Sequence, residues 1–306
     1  MLKVYSPSRK KGVELSSISK KEFFWGNFKN PSRNELKLLS KKTGASMEDL
    51  TKFSSKKLDS KVILRKNYDI IVLKYPININ GKILSKNFEI IYNKDFVVCL
   101  YPADMESLSY FSEHIKDELI GIKEVNFFYF LHRIFRILLK EFLLIFDKLE
   151  LKLEKVEEKV LQEGKGSREV YFVRKNLLFV RKALVDDRNV FVDLNYGVSK
   201  YLLPDKIADI NLETAQIMDN EELLRDRLTN ILDLHFAFMS NKMNDSMKAF
   251  TVVASLLLLP MLISGIYGMN VNLPLQEHPN AFYTIILLMI LAVVIALLYF
   301  KRKRLA

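Results

Sequence analysis

Lys248–Asn270 reads KAFTVVASLLLLPMLISGIYGMN, and from Ala249 to Gly268 it carries no charge. At about 1.5 Å per residue that interval is ~30 Å long, the thickness of the hydrocarbon core of a bilayer. A second uncharged run, Ala281–Phe300, follows after a short connection. The chain therefore reads as a large polar N-terminal part followed by two membrane spans. Lys242 and Lys248 precede the first run, Lys301-Arg302-Lys303-Arg304 follows the second, and Val271–Asn280 between them has no Lys or Arg. Basic residues stay on the cytosolic side of short loops, so a multi-pass cell-membrane (plasma or inner membrane) protein is expected, with both termini cytosolic and the connection outside.

The polar part is large enough for a compact domain with long helices. Its first residues, MLKVYSPSRKKGVELSS, contain no apolar core of a signal peptide, and none is expected. The single cysteine, Cys99, sits in the apolar run FVVCLY and reads as a reduced core residue. Charge is uneven: residues 1–66 hold 17 Lys/Arg against 6 Asp/Glu, while residues 67–306 hold 30 of each. The basic end is open to two readings, a solvated lysine-rich surface or a contact with anionic lipid, RNA or an acidic ligand. No nucleic acid is expected as a partner, and the first reading is preferred.

A short strand is expected around Phe23-Phe24-Trp25. Pro31-Ser32 opens a helix with Leu36, Leu38 and Leu39 on its apolar side and Gly44 after its end. Ser46–Leu50 starts another helical turn. From Tyr68 the runs YDIIVLKYPI, KILSKNFEIIYN and DFVVCLYP, broken by Asn80-Gly81 and Asn93-Lys94-Asp95, predict antiparallel strands joined mostly by hairpins. Asn126–Gln162 is a long helix. Its first half is greasy, but His132, Arg133, Arg136, Lys140 and Glu141 interrupt it, and each charge at a bilayer centre costs about 2.5–3.5 kcal/mol, so it is not expected to span. Phe142, Phe146, Leu149, Leu153, Val156 and Val160 then form a seam at spacings of four and three, and after the break at Gly164–Ser167 a second seam follows at Val173, Leu177, Val180 and Leu184. The two helices are expected to fold back on each other, with Arg174, Arg181 and Arg188 facing Glu150 and Glu157 in cross-hairpin ion pairs. Between Pro204 and Pro260 there is neither Pro nor Gly, so one helix is expected from about Asp205 to Gly268. Such a helix reads as a stalk in an oligomer.

The expected architecture is an α+β cytosolic domain with a long helical hairpin and a stalk helix, followed by two transmembrane α-helices. In residues it divides as 1–123 (α/β domain), 124–203 (antiparallel helical hairpin), 204–248 (stalk), 249–270 (first span), 271–280 (outer loop), 281–300 (second span) and 301–306 (basic tail). No Walker loop, Rossmann glycine pattern or Cys/His metal cluster is present, and His114, His132, His235 and His278 are scattered singly. An enzyme is not expected. Asn244, Met247, Thr251, Ser255 (or Ala254), Leu258, Leu262 and Gly265 recur every three to four residues and share one helix face. Such a stripe packs helices together or lines a pore, with Met247 and Leu258 as apolar constrictions. Gly265, Gly268 and the neutral amide of Asn270 at the mouth favour the pore, because Mg²⁺ dehydrates reluctantly and is held through its water shell.

Tyr267-Gly268-Met269-Asn270 before a final span and a basic tail resembles the signature of the CorA-type magnesium channel family. Ser240-Asn241-Lys242-Met243-Asn244-Asp245, Met247-Lys248, Pro260 and Gly265-Ile266-Tyr267 follow the order of that family's first span. Trp25, Glu48-Asp49, Lys61 and the strands from Tyr68 resemble its cytosolic domain more loosely. The resemblance implies a funnel-shaped homopentamer in a lipid bilayer, with the first span lining the pore and the second facing lipid. It implies Gly268, Met269 and Asn270 as the selectivity filter, and Asn244 and Met247 at the cytosolic side of the pore. It also implies Mg²⁺ as substrate and as regulatory ligand bound between subunits, with no covalently bound cofactor. Asp209 falls where a regulatory carboxylate is expected; as a helix N-terminal Asp it is equally explained by the macrodipole. The sequence departs from the family at Val271, where Phe is usual, and at Asn272–Glu277, where the loop has Glu277 as its one acid. Co²⁺, Ni²⁺ or Zn²⁺ remain alternative cargoes, although the zinc group usually has Val where Met269 stands. A non-conducting two-span scaffold is the reading from outside transport.

Overall fold

The computed structural model describes the chain apart from residues 1, 2, 8, 10, 20, 21, 56, 57, 121, 123, 124, 165, 275–277 and 304–306. Glu277 and Arg304 of the sequence argument lie outside the described residues. The chain divides into two compact units, Met1–Lys159 with Gly166–Ile231, and Val160–Lys165 with Leu232–Ala306.

The first unit is built on a seven-stranded mixed sheet of β1 (Lys3–Ser6), β2 (Lys11–Glu14), β3 (Phe24–Lys29), β4 (Lys61–Leu64), β5 (Asp69–Ile79), β6 (Lys82–Tyr92) and β7 (Phe96–Tyr101), in the order β2-β1-β3-β7-β6-β5-β4. The predicted strands after Tyr68 are β5, β6 and β7, joined by hairpins, and Asn80 and Gly81 both take the left-handed backbone that a tight turn requires. Two features depart from the expectation. β3 runs parallel to β7, Phe24 opposite Phe96, and a short β1–β2 hairpin extends that edge. A parallel pair needs a long crossover, here everything between β3 and β7, so no local turn signal announces it.

Strand residues alternate between two helical layers. On one face Phe24, Phe28, Ile70, Val72, Ile91, Val98 and Leu100 pack with Leu36 and Leu39 of α1 (Arg33–Thr43) and with Leu50 and Phe53 of a 3-10 helix, Asp49–Ser54. α1 starts in a capping box of Ser32 and Glu35 and ends at Gly44 with φ of 73°. Leu38, predicted on its buried side, is exposed instead. On the other face Trp25 stacks on Phe130 of α4 (Phe127–Glu163) at 5.4 Å and meets Phe111 of α2 (Glu106–Glu113) edge-on at 5.3 Å. α3 is the short Ile115–Glu118. The greasy half of α4 is thus core: Phe130, Leu131, Ile134, Phe135, Leu138, Leu139 and Phe142 are all buried.

α5 (Ser167–Asn195) fastens to the β4–β5–β6 edge through two buried polar residues. The Asn176 amide donates to Gly81 O and accepts from the Ile83 N–H, while Asp187 accepts from Ser60 Oγ at 2.6 Å and from the Lys74 N–H at 2.8 Å. Burial holds the Asp187 carboxyl well above the usual carboxylate range. The seam residues Leu149, Leu153, Leu177, Val180 and Leu184 are buried as expected. The predicted cross-hairpin ion pairs are not what forms. Glu150, Glu154 and Glu157 of α4 surround Arg227 of α6 (Ala208–Tyr267), with Glu157 at 2.8 Å, and Arg181 of α5 reaches Glu221 of α6 at 3.1 Å. The early turns of α6 lie beside both helices and take the charges that a two-helix reading gives to the hairpin.

The second unit contains the end of α4, the rest of α6 and α7 (Ala281–Arg302). Gly164 ends α4 at φ of 63°, and a Cβ there would stand 1.8 Å from the Phe238 ring. Only glycine fits that approach.

Candidate ion-conduction site

α6 from Ala249 and α7 are both long and apolar enough to cross a membrane, and nearly all of their apolar surface is uncovered within the chain. From Ala249 onward the side chains of α6 that lose exposure are Val252, Leu256, Leu259, Ile263 and Tyr267, spaced three to four apart, with Ser255 and Pro260 beside them. On α7 the matching set is Ala281, Ile285, Met289, Ala292, Val293, Ala296 and Phe300. Each set lies on one face of its helix, and small residues such as the alanines suit close helix packing.

Asn244, Met247, Thr251, Leu258, Leu262 and Gly265 lie on a different face of α6, and every one of them is exposed. At 100° per residue this face is turned roughly 120° from the covered one. Ser255 is partly covered at its margin. Thr251 Oγ1 donates to Met247 O and Ser255 Oγ to Thr251 O, both at 2.8 Å. Their protons are used inside the helix, so each hydroxyl presents lone pairs outward, which suits a cation or the water around it. Pro260 has no N–H for the Leu256 carbonyl, and the helix nevertheless continues to Tyr267.

After Tyr267 the chain turns. Gly268 donates its N–H to Ser264 O at 2.9 Å and Met269 to Ile266 O at 3.2 Å. A Cβ on Gly268 would lie 3.1 Å from Ser264 O, a tight contact that a larger residue would meet with a shift of a few tenths of an ångström. Met269 and Asn270 are exposed, and the Asn270 amide makes no hydrogen bond among the described residues.

Asp209 belongs to the first unit, in the opening turn of α6. Its Oδ2 lies 2.6 Å from Nε2 of His132 on α4. That pairing escaped the sequence reading because 77 residues separate the two. Among the described residues no group of three or more His, Cys, Asp or Glu is gathered to hold a metal within one chain. Of the Glu48-Asp49 pair of the sequence resemblance, Asp49 serves the fold: it is buried, accepts two bonds from Arg65, at 2.8 and 2.9 Å, and one from Tyr68, and pairs with Lys52, while Glu48 is exposed. Arg65 foremost holds its carboxyl far below the usual range.

The family model of CorA-like Mg²⁺ transporter proteins matches residues 20–302. A cobalt/magnesium transport protein CorA of Methanocaldococcus jannaschii is 26% identical over 304 residues, covering 95% of this chain and 94% of the relative. One from Thermotoga maritima is 26% identical over 253 residues, 80% of this chain and 72% of its own. The complete CorA magnesium transporter structure from M. jannaschii superposes with a TM-score of 0.85 at 24% identity, covering 98% of this chain and 97% of that one. Full-length CmaX follows with a TM-score of 0.73 at 15% identity, covering 99% and 97%. A mixed sheet with long helices and two C-terminal apolar helices is thus the fold of that transporter, and the family is one of membrane ion transporters rather than enzymes. The chain belongs to the CorA-like Mg²⁺ transporter family.

Proposed function

We propose that the protein is a channel for passive Mg²⁺ influx. The observation that carries this reading is the free face of α6: the residues that lose exposure lie on another side, and the exposed stripe from Asn244 to Gly265 leads to the open turn at Gly268–Asn270. Five copies around an axis would bring the stripes together as a pore, with both termini cytosolic, α7 toward lipid and the turn at the outer mouth. Gly268, Met269 and Asn270 form the filter, where a ring of neutral amide oxygens holds the ion through its hydration shell. Asn244, Met247, Thr251, Leu258, Leu262 and Gly265 line the path, with the thioether and leucines as the constrictions that close it by dewetting. An inside-negative potential supplies about 2 × 2.3 kcal/mol per 100 mV for a divalent ion, so no ATP is required.

Cytosolic Mg²⁺ closes the channel by binding between neighbouring first units, and Asp209 is the candidate ligand. Its single-chain partner is a histidine nitrogen, whereas Mg²⁺ prefers oxygen, so the remaining donors come from a second copy. Co²⁺ is the second cargo, favoured by the cobalt/magnesium names of the relatives that match most of the chain. The test is uptake into proteoliposomes by Asn270→Ala. Mg²⁺ flux is expected to be lost while the oligomer still forms, with Co²⁺ competing in the wild type. Wild-type flux in the variant removes the filter assignment, and no flux from any form favours the scaffold reading.

A further inference from the structure

His235, Met239, Met243 and Met247 stand at intervals of four on α6, all within the second unit. Each step advances about 6 Å along the axis and turns only ~40°, so neighbouring rungs lie on one face, one above the other. Met239, Met243 and Met247 are 49%, 63% and 61% exposed. At the head of the ladder the Nδ1 of His235 is buried and without a hydrogen-bond partner among the described residues. A buried ring nitrogen left unclaimed is unusual and calls for an explanation. None of the residues three or four places from a rung is acidic. This donor set is poor for a hard divalent ion, which takes oxygen, and suited to a soft monovalent one, which takes thioether sulfur and imidazole.

We propose that the His235-Met239-Met243-Met247 ladder is a binding site for a soft monovalent metal ion of the Cu⁺/Ag⁺ class. Adjacent rungs grip one ion between two turns of the helix: their Cβ atoms stand about 6 Å apart, and flexible unbranched side chains converge across that gap. Met239 and Met243 are the inner rungs and form the core of the site. His235 extends it upward, and Met247 joins it to the proposed conduction path. The site is separate from Mg²⁺ recognition at Gly268–Asn270, and it is read out by binding rather than by flux, so it stands or falls apart from the conduction reading.

Cys99 is the competing soft ligand, although it is fully buried and burial pushes its thiol up to about 12. The experiment therefore uses the detergent-solubilised full chain carrying Cys99→Ala. Ag⁺, which avoids redox chemistry, is titrated calorimetrically in chloride-free buffer with and without excess Mg²⁺. Binding that Mg²⁺ does not displace, weakened at least tenfold by adding Met239→Leu and Met243→Leu, is the expected result. Absence of Ag⁺ binding, or unchanged affinity in the Leu variant, overturns the site. A second reading needs no variant to fold: with ¹³C-methyl-labelled methionine, Ag⁺ shifts the Met239 and Met243 methyl signals and leaves those of buried Met105 in place. Unshifted Met239 and Met243 signals overturn the proposal even if calorimetry records heat.

Discussion

Glu89 shows how one residue departs from its local pattern. It lies on β6 in the face that packs against α1 and the 3-10 helix, fully buried, where alternation calls for an apolar side chain. The Phe53 N–H donates to its Oε2 at 2.8 Å, while Oε1 has no partner among the described residues. Burial pushes its carboxyl up to about 8, chiefly by desolvation. The folded state then keeps a proton that the unfolded chain releases near pH 4.5, and stability falls as pH rises from there to about 8. At neutral pH and above, Glu89→Gln keeps the acceptor for Phe53 and removes the cost of either uptake or burial of charge. Its thermal midpoint is expected to exceed the wild type at pH 8, with the difference shrinking toward pH 5. A midpoint difference independent of pH would assign the effect to packing instead. The site residues behave differently: Asn270 and Met247 are exposed in the single chain, so their substitution is expected to change flux and leave the fold alone.

At the scale of elements, the seams of α4 and α5 are legible because a buried helix face repeats every three to four residues whatever it packs against. What the seam packs against is not legible. Arg227 and Arg181 show this, since their partners lie on helices that the sequence separates by up to 77 residues from Glu150 to Arg227. At Gly164 the tip of α4 meets Phe238 of α6 closely. Gly164→Ala puts a Cβ into the Phe238 ring and strains a left-handed backbone, which together are expected to cost about 1–3 kcal/mol. Adding Phe238→Ala should recover the steric part and leave the backbone part. Circular-dichroism melts of the two variants measure it, and equal midpoints for them would show that the ring contact carries none of the loss.

For the whole molecule, passive influx predicts a dependence on potential and not on nucleotide. In proteoliposomes, Mg²⁺ uptake is expected to rise as a K⁺ diffusion potential is made more negative inside, with ATP without effect. Patch recording is expected to show open probability rising when Mg²⁺ is removed from the side of the first unit. Mg²⁺-insensitive currents would leave conduction standing and remove the feedback.

Sequence alone carried the two spans, the fold class and the family, because span length, periodicity and the Tyr267–Asn270 motif are properties of contiguous residues. It also marked the stripe from Asn244 to Gly265, and Gly265, Gly268 and Asn270 at its end favoured a pore over helix packing. The parallel pairing of β3 with β7, the clamp of Arg227 on α4 and the contact of His132 with Asp209 emerged only from the tertiary structure. Each joins residues far apart in the chain, and no local spacing encodes a partner. The same holds for the stripe: the folded chain shows which side of α6 loses exposure, the Val252–Ile263 side, and that the stripe lies off it. A helix repeats its faces identically along its length, and what occupies each face is decided by what folds against it.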